Sequence, residues 1–147
     1  MSRVPIVYAV TDDRVLSFPD FLDRAGALAL GPEVALVLRG AVPGGPLLGL
    51  ADRLAAIVAP SGTRLLVHDR LDVARLAGAG GVHLPAHGLP VAAARADLGP
   101  EPLIGRSTHT PAEAAAAAAD GADYVFLGNI WETASHPGRH PLGVAAL

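Results

Sequence analysis

The sequence has no cysteine and no lysine, and both absences narrow the chemistry that is available to it. Without cysteine there is no disulfide, no thiolate nucleophile and no cysteine-ligated zinc site. All 11 basic residues are arginines, which excludes reactions that need a lysine amine, such as Schiff-base formation. With 14 acidic residues the formal net charge is −3, which favours neither a nucleic-acid partner nor an anionic membrane.

Long hydrophobic runs are also lacking. No apolar stretch approaches the length of a membrane span, and the apolar run in residues 1–10 is too short for a signal peptide. Hydrophobic residues nevertheless make up 51% of the 147 positions, enough for one domain with a sizeable core. We therefore expect a single cytoplasmic domain over residues 1–147.

Short apolar runs rich in Val, Ile and Leu recur along the chain at a spacing of about two dozen residues. They do not alternate with polar residues, which is typical of strands that are buried on both faces of a parallel sheet. The predicted strands are residues 6–10, 34–38, 64–67, 81–84, 103–105 and 124–127.

Helical patterns fall between these runs. The predicted helices are residues 18–30, 47–58, 69–77, 90–98 and 111–119. Asp69 is a plausible N-cap of the third helix, and Thr110 with Glu113 forms a capping box at the last. Alternating strands and helices in this order predict an α/β fold with a parallel sheet and right-handed crossovers.

A polar or charged residue follows every predicted strand. In a closed parallel barrel these ends meet on one face, where the catalytic residues of such folds lie. For any single Asp, Ser or Thr, capping of the next helix is the competing interpretation. The residues concerned include Asp12, Asp13, Arg39, His68, Asp69, His83, Arg106, Ser107, His109, Asn129, Thr133, Ser135 and His136.

Several ordered segments resemble one family. They are residues 7–12, 67–74, 81–85, 104–110 and 122–128, followed by Trp131-Glu132-Thr133 and Leu142-Gly143. Together they resemble the thiamin phosphate synthase/TenI superfamily of (β/α)8 TIM barrels. The resemblance implies a role in thiamin biosynthesis, with a small-molecule thiazole phosphate as the ligand.

Against the synthase pattern the chain shows departures. Only Arg39 remains of the pyrophosphate-binding motif after the second strand, and Gly88 stands where the resemblance implies a second metal carboxylate. Asp69 is then the carboxylate left for Mg²⁺, so magnesium is implied only for a synthase-like protein, and no other cofactor is expected. His136 occupies the position of a synthase lysine.

The segments Gly105-Arg106-Ser107 and Trp131-Glu132-Thr133 resemble TenI proteins, some of which are thiazole tautomerases. At the expected tautomerase histidine this chain has Asn129, so His109, His136 or His68 would have to transfer the proton. The resemblance therefore implies His109, His136 and Asn129 as catalytic candidates. Substrate or phosphate binding is implied for Arg39, His68, Asp69, His83, Arg106, Ser107, Thr133 and Ser135.

Six βα units are present, whereas eight units need about 200 residues. We therefore expect a barrel that lacks its two C-terminal units, either as a fragment of a longer gene product or as a true short form that is completed by a partner or inactive. A homo-oligomer is one expected form of the short chain. The first functional hypothesis is a TenI-like tautomerase, an isomerase. The alternatives are a divergent thiamin phosphate synthase, a transferase, and a non-catalytic relative that binds a phosphate ligand.

Overall fold

A computed structural model of the chain describes residues 4–133, 138 and 140–147. Within them, six strands form one sheet in chain order, and every neighbouring pair is parallel. The strands are β1 (Val7–Val10), β2 (Val34–Leu38), β3 (Arg64–His68), β4 (Gly81–Leu84), β5 (Leu103–Thr108) and β6 (Tyr124–Leu127). The predicted parallel α/β architecture is thus confirmed.

The helices lie between the strands, with a further short one directly after β1. They are α1 (Asp13–Leu16), α2 (Phe21–Ala27), α3 (Gly44–Val58), α4 (Leu71–Leu76), α5 (Val91–Leu98) and α6 (Pro111–Ala119). Two 3₁₀ turns, Ala59–Ser61 and Val144–Ala146, complete the described elements. In this part of the chain no helix is both long and apolar enough to cross a membrane.

The predicted strand bounds agree with the structure to within one residue, and β5 is the exception among the strands. The sequence predicts a strand that ends at residue 105, but β5 continues to Thr108. Its last three residues pair with β6, in the register Arg106↔Val125, Ser107↔Phe126 and Thr108↔Leu127. The extension could not be predicted from apolar residues, because its side chains are polar. Its strand conformation comes from pairing with β6.

The prediction that Asp69 caps α4 is wrong. The helix begins at Leu71 after Arg70, and no side chain caps its first turn. Asp69 instead directly follows β3 with φ of +56°, and its N–H donates to the carbonyl oxygen of His83 at 3.0 Å. Aspartate is among the few non-glycine residues that tolerate this left-handed conformation, which places it beside the next strand.

The main core lies between the sheet and its helices. One face of the strands packs on the helices through buried residues such as Leu36, Leu38, Val67, Val82, Leu84, Ile104, Leu47, Leu54, Val73 and Ala94. The opposite face holds a smaller cluster of Ala35, Val37, Leu66 and Leu103, with Tyr8 and Tyr124 against it. The sheet therefore has an outer face covered by helices and an inner face of its own.

The inner face is concave. Tyr8 on β1 lies 4.6 Å from Tyr124 and 5.1 Å from Phe126, both on β6, measured between ring centroids. These strands are at opposite edges of the sheet, so their side chains meet only because the sheet curls on itself. The curl is that of a barrel wall, and it brings the carboxyl ends of the strands together at one rim.

Candidate functional site

Arg39 is held at the rim by a buried threonine. Thr11 is 3% exposed, and its hydroxyl donates to the carbonyl oxygen of Arg39 at 2.7 Å and accepts from the Arg39 N–H at 2.8 Å. This pair of bonds ties the residue after β2 to the end of β1. The Arg39 backbone is therefore fixed, and the residue lines the cavity at this rim.

A cavity of about 280 Å³ lies at the ends of β1, β2 and β3. It is lined by Asp12, Asp13, Arg39 and His68, together with two small residues. The carboxylate of Asp12 accepts from the Val15 N–H at the start of α1, as expected for a cap. That of Asp13 accepts from the Ala41 N–H, so both carboxylates also hold the walls in place.

Two histidines lie side by side on the inner face. His68 on β3 and His83 on β4 are register partners, and their rings stack 5.9 Å apart. Burial, with Arg39 nearby, lowers the pKa of His68 despite the opposing effect of Asp69. Burial, with the charges of His68 and Arg39, lowers the pKa of His83 to about 4. His83 is therefore neutral near pH 7.

His83 joins residues from three adjacent strands. Its Nδ1 lies 3.0 Å from the hydroxyl of Tyr124 on β6, and its Nε2 lies 2.8 Å from the hydroxyl of Ser107 on β5. Gly105 lies between them, in register with both His83 and Tyr124. A Cβ at Gly105 would come within 2.0 Å of the Tyr124 ring, so glycine is what lets that ring cross β5.

The carboxylate of Asp69 faces the loop after β4. A Cβ at Gly88 would lie 3.0 Å from Asp69 Oδ1, so the loop backbone closely approaches the carboxylate. Gly88 supplies no side-chain ligand at this point. Among the described residues no group of three or more His, Cys, Asp and Glu side chains is arranged to hold a metal ion.

A second cavity brings His109 and Asn129 together. Its lining also includes His87, His140 and Glu113. The Nδ1 of His109 lies 2.9 Å from the carbonyl oxygen of Gly128, which makes this nitrogen the donor. The amide nitrogen of Asn129 donates to the Trp131 carbonyl, and its buried Oδ1 has no partner in the described part of the chain.

Not every predicted site residue lies with these groups. The guanidinium of Arg106 donates to the carbonyl oxygens of Leu89 and Ala86, at 2.6 and 2.7 Å, and so holds the loop between β4 and α5. Thr133 is exposed in the segment after β6. Ser135 and His136 lie outside the described residues.

The structure thus places His68, His83 and Ser107 on one surface beside Arg39, and His109 with Asn129 in a separate cavity. Tyr124 was not among the predicted site residues, although it contacts His83 directly. A glycine inside β5 directly opposite a strand tyrosine is the signal that identifies it, because glycine in a strand marks close approach of another group. Without the strand register, that pairing is not visible in the sequence.

Comparison with known proteins gives one consistent family. A family model described as thiamine monophosphate synthase matches residues 7–147. A thiamine-phosphate synthase from Methanoculleus marisnigri is 42% identical over 143 residues, covering 96% of this chain and 68% of the relative. One from Gloeobacter violaceus is 44% identical over 118 residues, covering 80% of this chain and 35% of the relative.

Among solved structures, a thiamine phosphate pyrophosphorylase from Pyrococcus furiosus aligns with a TM-score of 0.77 at 24% identity. The alignment covers 95% of this chain and 66% of that one, so the chain spans about two thirds of the solved protein and about a third of the Gloeobacter relative. This likeness confirms the barrel-type α/β fold, with six parallel strands in the described part of this chain. The chain belongs to the thiamine monophosphate synthase family, within the thiamin phosphate synthase/TenI superfamily.

Proposed function

We propose that the chain acts in thiamin biosynthesis as a protein of the thiamin phosphate synthase type. Such a protein joins a pyrimidine pyrophosphate to thiazole phosphate and releases pyrophosphate. The observation that supports this most is the name shared by relatives that are 42–44% identical, thiamine-phosphate synthase. The relatives therefore favour the transferase alternative over the TenI-like tautomerase that was the first hypothesis from sequence.

The geometry of the rim agrees with an anionic ligand. Arg39 contributes a permanent positive charge, and Ser107 contributes a hydroxyl whose position His83 fixes at 2.8 Å. Positioned donors of this kind stabilise phosphate oxygens most strongly where water is excluded. The substrate contacts of Arg39, His68, Asp69, His83 and Ser107 are part of this proposal.

The described residues do not fit a dedicated magnesium site. Asp69 is the carboxylate of the implied metal position, and Gly88 beside it has no ligand to add. Mg²⁺ binds tightly only where several oxygens complete its octahedron. The proposed function therefore assigns no step to a metal held by the protein.

The free protein is expected to bind Mg²⁺ weakly, because water must supply most of the ligands. Isothermal titration calorimetry of the wild type and of Asp69→Asn measures this. A micromolar affinity that disappears in Asp69→Asn would contradict the expectation and would show that other groups complete the site.

The tautomerase remains a second candidate because His109 lines one cavity with Asn129. Imidazole is the group best suited to proton transfer near neutral pH. For this activity His109→Ala should slow the exchange of solvent deuterium into a thiazole phosphate carboxylate by about 100-fold.

One experiment separates the functions. The 147-residue protein is incubated with the pyrimidine pyrophosphate and thiazole phosphate, and thiamin phosphate is measured by chromatography. For the synthase, Arg39→Gln should lower kcat/KM by about 100-fold. Arg75→Gln, which removes an exposed arginine paired with Asp97 between helices, is the matched control and should leave kcat/KM unchanged.

Two other outcomes would overturn the synthase proposal. Deuterium exchange without thiamin phosphate formation would identify a tautomerase. Binding of thiazole phosphate without either reaction would identify the non-catalytic relative.

A further inference from the structure

Three hydrogen-bonding side chains form a chain across β4, β5 and β6. Tyr124 Oη contacts His83 Nδ1 at 3.0 Å, and His83 Nε2 contacts Ser107 Oγ at 2.8 Å. His83 is 3% exposed, so neither ring nitrogen has ready access to bulk water. The two hydroxyls therefore decide which nitrogen of the neutral ring carries the proton.

Two arrangements satisfy the distances. Either Tyr124 donates to Nδ1 and the Nε2–H donates to Ser107, or Ser107 donates to Nε2 and the Nδ1–H donates to Tyr124. A phenol is far more acidic than an aliphatic alcohol, which makes it the better donor and the poorer acceptor. The chemistry of the two hydroxyls favours the first arrangement.

We propose that Tyr124 is a positioning residue which holds His83 as the Nε2–H tautomer and so commits Ser107 to donate its hydroxyl hydrogen towards the ligand. With the Nε2–H pointing at its oxygen, Ser107 cannot give its own hydrogen to His83. That hydrogen is then directed to an acceptor outside the chain of three residues. The arrangement favours ligands that place a hydrogen-bond acceptor opposite the Ser107 hydroxyl, such as a phosphate or pyrophosphate oxygen.

The ring of Tyr124 reaches His83 only because Gly105 leaves the intervening position on β5 empty. The three positions are in one register row, His83↔Gly105↔Tyr124. Tyr124 also packs against Tyr8, with ring centroids 4.6 Å apart, which restrains the ring from the other side. The strand register therefore determines the position of the Tyr124 phenol.

Tyr8 provides a matched control. Its hydroxyl is buried and has no hydrogen-bond partner among the described residues, and its ring belongs to the same aromatic group. Tyr8→Phe and Tyr124→Phe each remove one buried hydroxyl and keep the ring. Only the second substitution removes a contact with His83.

The test is ¹⁵N NMR of the His83 ring in the ligand-free wild type and in both variants, near pH 7. In the wild type we expect Nδ1 in the unprotonated range and Nε2 in the protonated range. Tyr124→Phe should move both resonances towards each other, as the two tautomers become mixed, whereas Tyr8→Phe should leave them unchanged. A wild-type ring protonated at Nδ1, or a Tyr124→Phe spectrum identical to the wild type, would overturn the proposal.

The effect on turnover rests on the proposed function. If the chain is a synthase, Tyr124→Phe should lower kcat by about ten-fold, the loss expected for one misdirected hydrogen bond. In a Ser107→Ala background the same substitution should have little further effect, because the residue through which it acts is gone. Absence of synthase activity in every protein would refute the function, while the tautomer result would stand or fall by itself.

Discussion

The position of a side chain on the inner face can depend on a missing side chain in the neighbouring strand. Gly105 is the clearest case, since its missing Cβ is the space that the Tyr124 ring occupies. The site therefore depends on a residue without a functional group as much as on those that have one.

Gly105→Ala is expected to destabilise the protein by about 1–3 kcal/mol, because overpacking forces a buried ring from its position. Urea denaturation measures the change. Gly49→Ala is the control, since Gly49 is in α3 with no atom within 4 Å of the added Cβ. There alanine should stabilise the helix by up to about 1 kcal/mol. Equal effects at both positions would show that Tyr124 is not held as described.

His83 makes stability depend on pH. Its folded pKa of about 4 lies below the ordinary 6.5, so the unfolded chain binds more protons between these values. The contribution of His83 to the free energy of unfolding should therefore be complete above pH 6.5 and be lost as the pH falls towards 4. Over this range the free energy of unfolding should decrease by about 3 kcal/mol.

Urea denaturation over this pH range measures the slope. His83→Gln should flatten it, leaving the part due to His68, whose pKa is also lowered. A free energy of unfolding that does not vary over the range would show that His83 titrates as in the unfolded chain.

Among the elements, α6 shows most directly how local sequence fixes a boundary. Thr110 accepts from the Glu113 N–H at 3.1 Å, and Pro111 occupies the first helical position. The Glu113 carboxylate accepts from the His109 N–H at 2.6 Å, one residue earlier than in a standard capping box. The cap thereby also holds the backbone of His109, at the end of β5.

Thr110→Ala should cost about 1 kcal/mol of stability through loss of the N-cap. Thr110→Ser keeps the hydroxyl and should retain most of that stability. The two variants are compared by urea denaturation, and an alanine variant as stable as the serine variant would show that the cap contributes nothing.

For the molecule as a whole, the two outer strands of the sheet determine the expected tendency to self-associate. In the described part of the chain β1 pairs with β2 alone and β6 with β5 alone, so each has one edge without a strand. Val7 and Val10 on β1 are 54% and 45% exposed. Exposed apolar edges without lysine or proline favour pairing between chains.

The 147-residue protein should therefore self-associate, with an average mass that rises with concentration in sedimentation equilibrium. Val7→Lys should reduce the association by placing a charge on the edge. Leu76→Lys is the control, because Leu76 is 69% exposed but lies on α4. A wild type that remains monomeric and unfolds in one sharp transition would contradict the expectation.

Local signals in the sequence were sufficient for most of the fold. Apolar runs located all six strands, and β2, β4 and β6 have the predicted bounds. Proline and threonine fixed the start of α6. Hydrophobic burial and capping act over a few residues, so the sequence displays them directly. The resemblance likewise identified the superfamily, because its motifs are short and ordered along the chain.

What the tertiary structure decided depends on the register between strands distant in sequence. In the tertiary structure Arg106 donates to loop carbonyls, and Asp69 does not cap the helix that it was predicted to cap. The Tyr124 ring crosses Gly105 and contacts His83. Residues 83 and 124 are 41 positions apart, and no local pattern relates them. A shift of one residue in either pairing would turn these side chains to the other face of the sheet. The sequence thus determined which residues are available at the strand ends, and the packing of the curled sheet determined which of them meet.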